Sequence, residues 1–339
     1  MLRLPPVRIV RPGSIAEALA AIEYDGARLV AGGTDLWPNL KRRSQHAGVV
    51  IDLLSIPGLD EIRFDDAALR IGATARLSTL LAHTAIREQF PALHRAVASI
   101  SAPRLRNMAT IGGNLCVDTR CTFYNQTEEW RRSIGFCMKE RGETCWVATS
   151  SPRCWAHSAS DAAPILCALD ASVRLVSHRG DRVIPLASMY RDDGIEFLAK
   201  EPDEILTEIL VPLSSAAAHC RSAFWKLRRR HSVDFAVASV AAAVWFDTQD
   251  HVERAAVFLG AVSSSPMAVA DVSGLLHGKP LDPDNVELVM AAAQKAARPL
   301  DNTDFAAAWR NRMVRLYTGA ALDEIAGRTP SIAAPRHRR

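Results

Sequence analysis

Five of the seven cysteines of this 339-residue chain fall within one short segment, from Cys116 to Cys154. Seven cysteines placed at random would put about one there. The N-terminal segment MLRLPPVRIVRPGS carries arginines and prolines where a secretory signal needs an apolar core, so we expect a cytoplasmic protein with reduced thiols. Disulfides are then a poor explanation of the cluster, and metal or iron–sulfur ligation becomes the leading hypothesis.

The composition excludes several classes of protein. Hydrophobic residues make up 48% and charged residues 23%, which is typical of a globular chain. The net charge of +4 is too small for the concentrated basic face of a nucleic-acid-binding protein. The longest apolar run, residues 236–246, is too short to span a membrane. We therefore expect about two globular domains, with no nucleic-acid partner and no membrane segment.

Hydrophobic periodicity predicts an α+β chain. The first part is predicted to contain a strand over 28–31, a Gly-rich turn, a helix that begins at Leu36, and a strand over 49–53. Pro38 is expected to restrict that helix to its first residues. A capping box, Ser14 with Glu17, predicts a helix through Ile22. Further strands are predicted over 68–73, 172–177, 203–212, 236–246 and 255–262, and helices over 77–89, 92–100, 285–296 and 303–317. We expect a first domain over 1–213, a linker at 214–218, a smaller α+β domain over 219–325, and a disordered Pro- and Arg-rich tail over 326–339.

Two Gly-Gly pairs are candidate ligand contacts. Gly32-Gly33-Thr34-Asp35 follows a buried strand, and Ile111-Gly112-Gly113-Asn114 follows another apolar stretch. Such turns let the backbone approach an anion closely, and two of them could hold the two phosphates of one dinucleotide. The alternative is two ordinary tight turns. Neither matches G-x-G-x-x-G, which disfavours a Rossmann nicotinamide site.

The cysteine segment has a distinctive spacing. Intervals of 16, 8 and 9 residues separate Cys121, Cys137, Cys145 and Cys154, without the close C-x2-4-C pairs of most zinc sites. A cubane iron–sulfur cluster also takes four thiolates, which can come from separate parts of a wrapped loop. Residues 116–155 hold six of the chain's 21 aromatic residues, enough for a small shell that excludes water. A loop of buried free cysteines is the alternative.

The densest basic run begins at Lys226, directly after Phe224 and Trp225. A solvated or phosphate-facing patch is the usual interpretation of such a run. The two preceding aromatics suggest instead that Lys226 is held at a partly buried site, where its charge could stabilise negative charge on a cofactor.

At these residues the chain resembles the FAD-binding medium subunits of the molybdenum hydroxylases, the family of xanthine dehydrogenase and carbon monoxide dehydrogenase. The resemblance covers nearly the whole chain. Its motifs are VAGGTD at 30–35, TIGGN at 110–114, SDAAP at 160–164 with ALDA at 168–171, and Lys226 with Arg230 and Asp234. It implies a two-part FAD-binding domain followed by a smaller α+β domain.

The cysteine segment resembles a feature of one group of subunits within this family. Most such subunits connect the TIGGN and SDAAP motifs by a short segment, whereas this chain carries an insertion, residues 116–156, that is similar to the one in 4-hydroxybenzoyl-CoA reductase β subunits. There the insertion carries a 4Fe–4S cluster. By resemblance the ligands are Cys121, Cys137, Cys145 and Cys154, and Cys116 is excluded because that spacing begins at the second cysteine. Cys167 and Cys220 are expected to be buried small apolar residues.

The resemblance also assigns FAD contacts. Asp161 would accept a hydrogen bond from the ribose or adenosine, Ser101 would be a further contact, and Lys226 would lie near the pyrimidine side of the flavin. The pyrophosphate and adenosine would be held by Leu29, Val30, Ala31, Gly32, Gly33, Thr34, Asp35, Leu36, Thr110, Ile111, Gly112, Gly113 and Asn114.

The implied function is electron transfer within a hetero-oligomer, for which a dimer of heterotrimers is one arrangement. A large molybdopterin subunit and a small 2Fe–2S subunit would be the partners, because this chain has no plant-type C-x4-C-x2-C run. Electrons would pass from ferredoxin through the 4Fe–4S cluster and FAD to molybdenum, where 4-hydroxybenzoyl-CoA loses its phenolic hydroxyl. One alternative is the FAD subunit of an oxidising hydroxylase or aldehyde dehydrogenase, and another is a non-catalytic scaffold whose cysteines bind zinc.

Overall fold

Three β-sheets organise the chain in the computed structural model, which describes residues 2–217, 219–230, 233–330 and 332. The first is a parallel sheet of order β1-β3-β2, built from β1 (Arg8–Val10), β2 (Ala27–Val30) and β3 (Val49–Asp52). Helix α1 (Ile15–Ile22) follows the predicted cap, in which Ser14 Oγ accepts the Glu17 N–H at 3.2 Å. Helix α2 (Leu36–Lys41) connects β2 to β3.

The second sheet has five antiparallel strands in the order β4-β5-β8-β6-β7. Its strands are β4 (Ile62–Phe64), β5 (Ala68–Gly72), β6 (Ser172–Ser177), β7 (Gly180–Pro185) and β8 (Ile205–Pro212). The long β5–β6 connection holds α3 (Leu77–Ala82), α4 (Thr84–Gln89), α5 (Pro91–Ser99), α6 (Pro103–Arg106), α7 (Ile111–Leu115), α8 (Glu128–Ser133) and α9 (Ala162–Ala168). Short 3₁₀ turns cover Leu53–Ser55, Leu186–Met189 and Leu213–Ser215.

The third sheet is antiparallel, of order β12-β11-β10-β9, and helices pack on it. Its strands are β9 (Cys220–Leu227), β10 (Ala238–Phe246), β11 (Val252–Gly260) and β12 (Met267–Ala268), and the helices are α10 (Val272–Leu276), α11 (Pro283–Ala296) and α12 (Ala307–Ile325). Every residue of β10 is buried. Its side chains alternate between two cores: Ala241 and Ala243 face the core that contains α5 and α9, whereas Ala242 and Val244 face the core that contains α11 and α12. The alanines allow helices to approach both faces, which joins the third sheet to the rest of the chain.

Several sequence predictions need correction. The helix predicted over 77–89 is two helices, α3 and α4, which break at His83 because its backbone is extended. Helix α2 continues past Pro38, since a proline in the first turn removes only an N–H that has no helical partner. The predicted linker is packed where it is described: Ser215 is buried and its hydroxyl donates to Leu169 O at 2.9 Å.

The predicted tail is anchored at its start, because Arg328 pairs with Asp323 and donates to Leu281 O. Residues 331 and 333–339 lie outside the described part. Within the described part, no helix is both long and apolar enough to cross a membrane.

Candidate functional site

A single large cavity brings together most of the predicted cofactor contacts. Its volume is about 1320 Å³, above the ~300–1,000 Å³ of ordinary small-molecule sites, so a long ligand fits it. Fourteen of the sixteen predicted contacts line this cavity. The other two are Ile111, whose side chain lies in the core, and Lys226, which is buried behind the wall. The walls come from the parallel sheet, the α6–α7 region, the start of α9, and the segment after β9.

The first Gly-Gly pair lets three chain segments meet at the cavity. A Cβ on Gly32 would collide with the carbonyl oxygen of Met108, in the loop that leads to α7. Gly33 has a φ of +67°, and a Cβ there would collide with the Trp37 indole. The pair therefore has a structural role as well as a place in the cavity wall.

The second pair is not the turn that the sequence predicted, because Gly112 and Gly113 lie inside helix α7. Thr110 caps that helix, with Oγ1 accepting the Gly113 N–H at 3.1 Å. A Cβ on Gly112 would stand 2.7 Å from Ala73 O, so the helix packs directly on the end of β5. Gly113 is exposed toward the cavity. The Asn114 carboxamide oxygen accepts the Ser160 hydroxyl at 2.9 Å, which ties the TIGGN segment to the SDAAP segment.

Asp161 and Lys226 form a buried ion pair at the cavity wall. Lys226 Nζ lies 2.6 Å from Asp161 Oδ2 and also donates to Ser99 O and Asp234 O, both at 3.1 Å. Asp161 Oδ1 is buried and has no hydrogen-bond partner among the residues that the structure describes, so it is available to a ligand hydroxyl. Burial raises the pKa of Asp161, and the Lys226 ammonium opposes that effect. Lys226 thus holds Asp161, a contact that the sequence did not predict, and its expected place near the flavin stays a prediction.

Ser101 is held in a left-handed conformation, with a φ of +50°, on the cavity rim. Non-glycine residues rarely adopt this conformation, and they cluster at ligand sites when they do. Arg106 fixes the turn by donating to Ile100 O at 2.8 Å. Leu105 and Phe235 are exposed large apolar residues in the same lining. They provide an apolar surface on which a flat ring could pack.

The cysteine insertion forms part of the cavity wall, which the sequence analysis missed. Its contributing residues are Cys116, Val117, Asp118, Tyr124, Lys139, Glu140 and Arg141. The one available signal was position, because the insertion lies between two motifs that both reach the cavity. Asp118 is held from two sides, by Lys139 Nζ and by Gln45 Nε2, each at 2.7 Å. Asp35 is paired with the buried Arg120, so this predicted contact already has a protein partner.

The four predicted cysteine ligands all belong to the insertion, and three of them share one small core. All four are buried and free of disulfides, and Cys121, Cys137 and Cys154 share one small core with Tyr124. The Cys154 thiol hydrogen-bonds to the Cys145 sulfur, which lowers the pKa of Cys145 to about 5 and raises that of Cys154. Burial raises the pKa of Cys121 to about 11, and Cys137 and Cys145 add to the effect.

In the described part of the chain, no three His, Cys, Asp or Glu side chains are grouped so that they could hold a metal ion as they stand. A 4Fe–4S centre is therefore not shown here. The other cysteines lie apart from these four: Cys167 is buried as predicted, Cys220 is only partly buried, and Cys116 lines the cavity.

Comparison with known proteins assigns a family to this arrangement. Residues 5–214 match the family described as the FAD binding domain in molybdopterin dehydrogenase, and residues 222–325 match the CO dehydrogenase flavoprotein C-terminal domain.

Two relatives illustrate the similarity. The aldehyde oxidoreductase FAD-binding subunit PaoB of Escherichia coli is 34% identical, with 74% of this chain and 80% of that protein aligned. The nicotinate dehydrogenase FAD-subunit of Eubacterium barkeri is 29% identical over 77% of this chain and 75% of its own length.

The fold agrees with these matches. Carbon monoxide dehydrogenase from Hydrogenophaga pseudoflava superimposes with a TM-score of 0.79 at 23% identity, covering 96% of this chain and 99% of the other. The chain therefore belongs to the FAD-binding medium subunits of the molybdenum hydroxylase family, that of the xanthine and carbon monoxide dehydrogenases.

Proposed function

We propose that this chain is the electron-relay subunit of a molybdenum enzyme and that it carries FAD in the large cavity. One observation carries the proposal: fourteen of the sixteen residues that the family motifs assign to FAD line this one cavity. A dinucleotide needs a long site with a close backbone approach, and the two Gly-Gly segments lie on its wall.

The residues present fit FAD. Gly113 presents backbone without a side chain to the cavity, Asp161 Oδ1 offers an unpartnered acceptor for a hydroxyl, and Leu105 and Phe235 offer an apolar surface. Bound FAD would supply the exchange of electrons between a two-electron partner and one-electron centres. The chain's own contribution is to hold the cofactor, to exclude water from it, and to keep Asp161 oriented through Lys226.

We extend the proposal to a 4Fe–4S cluster at Cys121, Cys137, Cys145 and Cys154. Four buried free thiols in one insertion are the ligand set of a cubane, which binds one thiolate at each of four iron atoms, and they would have to close up around it, because no three are grouped for a metal as they stand in the described structure. A cluster also offsets the cost of ionising buried thiols, whose pKa is raised at Cys121 and Cys137. Tyr124 packs on these cysteines and also lines the cavity, so only one layer of side chains separates the two sites.

For the whole enzyme we propose reductive dehydroxylation of 4-hydroxybenzoyl-CoA. A large molybdopterin subunit and a small 2Fe–2S subunit would be the partners, and ferredoxin the donor. The support is the resemblance of the insertion, with its 16, 8 and 9 residue intervals, to that of the reductase β subunits. Relatives are named as a medium subunit and as a complex subunit, which supports assembly with partners.

A second candidate keeps FAD and reverses the electron flow. The 34% identity to the FAD-binding subunit of an aldehyde oxidoreductase favours oxidation of an aldehyde by the assembled enzyme. Nicotinate dehydrogenase among the relatives favours hydroxylation of an aromatic ring. Both would use the same cavity in this chain.

Two measurements test these proposals. The visible spectrum, iron content and low-temperature EPR of the purified chain test the cofactors: we expect flavin bands, a broad iron–sulfur shoulder and about four iron atoms per chain. A colourless protein with stoichiometric zinc would instead support a scaffold. The holoenzyme, purified with its partner subunits, is then assayed for 4-hydroxybenzoyl-CoA reduction by reduced viologen and for aldehyde oxidation by an acceptor dye. Aldehyde oxidation without reductase activity would favour the second candidate.

A further inference from the structure

The tip of one loop in the insertion lines the cavity, and its two ends are cysteines. Lys139, Glu140 and Arg141 line the cavity, and they lie between Cys137 and Cys145. The loop closes on itself, because Cys137 O accepts the N–H groups of Glu140 and Gly142 and because Met138 N donates to Thr144 O. Any group that binds both cysteines would therefore clamp both ends of a wall segment.

Arg131, on helix α8, fixes the same loop from behind. Its side chain is 1% exposed, and its Nε lies 2.6 Å from Glu140 Oε2. The guanidinium also donates to Gln126 O at 2.6 Å and to Arg42 O at 2.9 Å. Arg131 does not line the cavity, so it acts on a ligand there indirectly, and Glu140 is the one of its three partners that lines the cavity.

Apolar burial gives the insertion little stability of its own. Its buried core consists of Cys121, Cys137 and Cys154 with Tyr124 and Ala156. Three thiols and two other side chains bury far less apolar area than the main cores, so hydrophobic stabilisation is correspondingly small. Besides its own backbone hydrogen bonds and the packing of Met138, the loop is held by Arg131, by Lys139, which pairs with Asp118 and donates to Gly194 O at 2.6 Å, and by whatever binds the thiols.

We infer that occupation of the cysteine site and binding of FAD are coupled, with the Cys137–Cys145 loop as the coupling element and Arg131 as its positioning residue. This inference rests on the proposed function. With all four thiols bound to metal, the loop holds Lys139, Glu140 and Arg141 in the cavity wall. Without metal the loop loses that restraint and keeps only its protein contacts, so the wall that it provides for FAD is held less firmly. Linkage then requires that bound FAD raise the affinity of the cysteine site for metal by the same factor.

The test measures FAD affinity in the full chain by quenching of flavin fluorescence. Iron-loaded protein is compared with chelator-treated protein, and with Cys137→Ser and Cys145→Ser. We expect the FAD Kd to rise within the range of about 5–150-fold that is usual for coupled sites. Cys220→Ser is the matched cysteine control, because Cys220 lies on β9, outside the insertion and the cavity lining, and it should leave the Kd unchanged.

The Arg131→Met variant tests the role of the loop while the metal stays bound. It should keep iron, raise the FAD Kd, and increase hydrogen exchange in residues 137–145 while residues 28–36 stay protected. Arg131→Lys, which can still pair with Glu140, should recover part of the affinity. Arg132→Met is the control on the same helix, since Arg132 is 67% exposed and pairs only with Glu128 in the described structure.

Two outcomes would overturn the inference. One is an equal FAD Kd in iron-loaded and iron-free protein, and the other is an Arg131→Met chain with loosened residues 137–145 and unchanged FAD affinity. Either result leaves the proposed function standing, because FAD and iron would still bind. A wild-type chain that binds neither FAD nor iron would contradict the proposed function instead.

Discussion

Lys226 and Asp161 join two domains of the chain through one buried ion pair, 2.6 Å long, between strand β9 and the residue that precedes helix α9. Both side chains are less than a tenth exposed. The Lys226 ammonium has three acceptors within 3.1 Å, so all of its protons are directed at protein atoms. Its first role is to keep Asp161 ionised and oriented toward the cavity.

Removing Lys226 alone should therefore be costly. Lys226→Met leaves the buried Asp161 charge without its partner, and breaking such a pair usually costs about 3–5 kcal/mol in free energy of unfolding. The double variant Lys226→Met with Asp161→Asn should recover much of that loss, because no charge remains buried. Urea unfolding of both single variants and the double variant measures the coupling. Additive losses would show that the pair contributes little.

The free energy of unfolding of the Lys226→Met variant should also depend on pH differently from that of wild type. Burial already raises the pKa of Asp161, and without Lys226 only the charge of Arg228 opposes it, so the pKa should rise further above its unfolded value. A carboxyl with a raised folded pKa destabilises the fold above that pKa, so the Lys226→Met chain should gain stability relative to wild type as the pH falls toward 4. A constant difference between the two chains from pH 7 to pH 4 would contradict this role of the ion pair.

Alanine substitutions in the two glycine motifs should have different effects, one mainly on folding and the other mainly on FAD binding. Gly32→Ala places a methyl group against the Met108 carbonyl, so it should destabilise the chain itself, by about 1–3 kcal/mol as overpacking usually does. Gly113→Ala places a methyl group in the cavity, where the nearest protein atom is Thr110 Oγ1 at 2.9 Å, so it should weaken FAD binding more than folding. Flavin titration and urea unfolding of both variants separate the effects, and equal phenotypes would argue against a direct contact at Gly113.

Local constraints explain which features were predictable from the sequence. Signals over four or five residues, such as the Ser14–Glu17 cap and the apolar run before Gly32, predicted α1, β2 and the first motif close to their observed places, whereas the TIGGN segment was predicted as a turn and forms helix α7. The Lys226–Asp161 pair connects residues 65 positions apart. The Arg131–Arg42 contact spans 89 positions. No local pattern records such contacts, which is why neither the wall formed by the insertion nor the Lys226–Asp161 pair was predicted.

The cysteines give a prediction for each residue. Cys121→Ser, Cys137→Ser, Cys145→Ser and Cys154→Ser should each lose iron, because all four side chains are buried in the one insertion. Cys116→Ser should keep it, because Cys116 lines the cavity instead. Iron analysis and low-temperature EPR of the five variants check the set. Full iron retention in any of the first four would remove that cysteine from the proposed ligands.

Burial of His157 makes the stability of the fold sensitive to acid. The imidazole is buried, and its Nδ1 lies 2.9 Å from Ser158 O, so the neutral ring donates that hydrogen bond. Burial, with the nearby Arg310 charge, lowers the pKa of His157 to about 3, against about 6.5 in the unfolded chain. Between about pH 6.5 and pH 3 the unfolded chain therefore binds a proton at His157 that the folded chain does not.

A histidine with a lowered folded pKa contributes its full stability above about pH 6.5 and loses it as the pH falls toward 3, at about 1.4 kcal/mol per pH unit. Between pH 6.5 and pH 5 this amounts to about 2 kcal/mol. His157→Asn keeps a donor near Ser158 O but cannot take up the proton, so its free energy of unfolding should fall by about 2 kcal/mol less than that of wild type over the same interval. Urea unfolding at pH 7 and pH 5 measures both chains. Parallel losses would mean that His157 is protonated in the folded protein and that other groups cause the acid sensitivity.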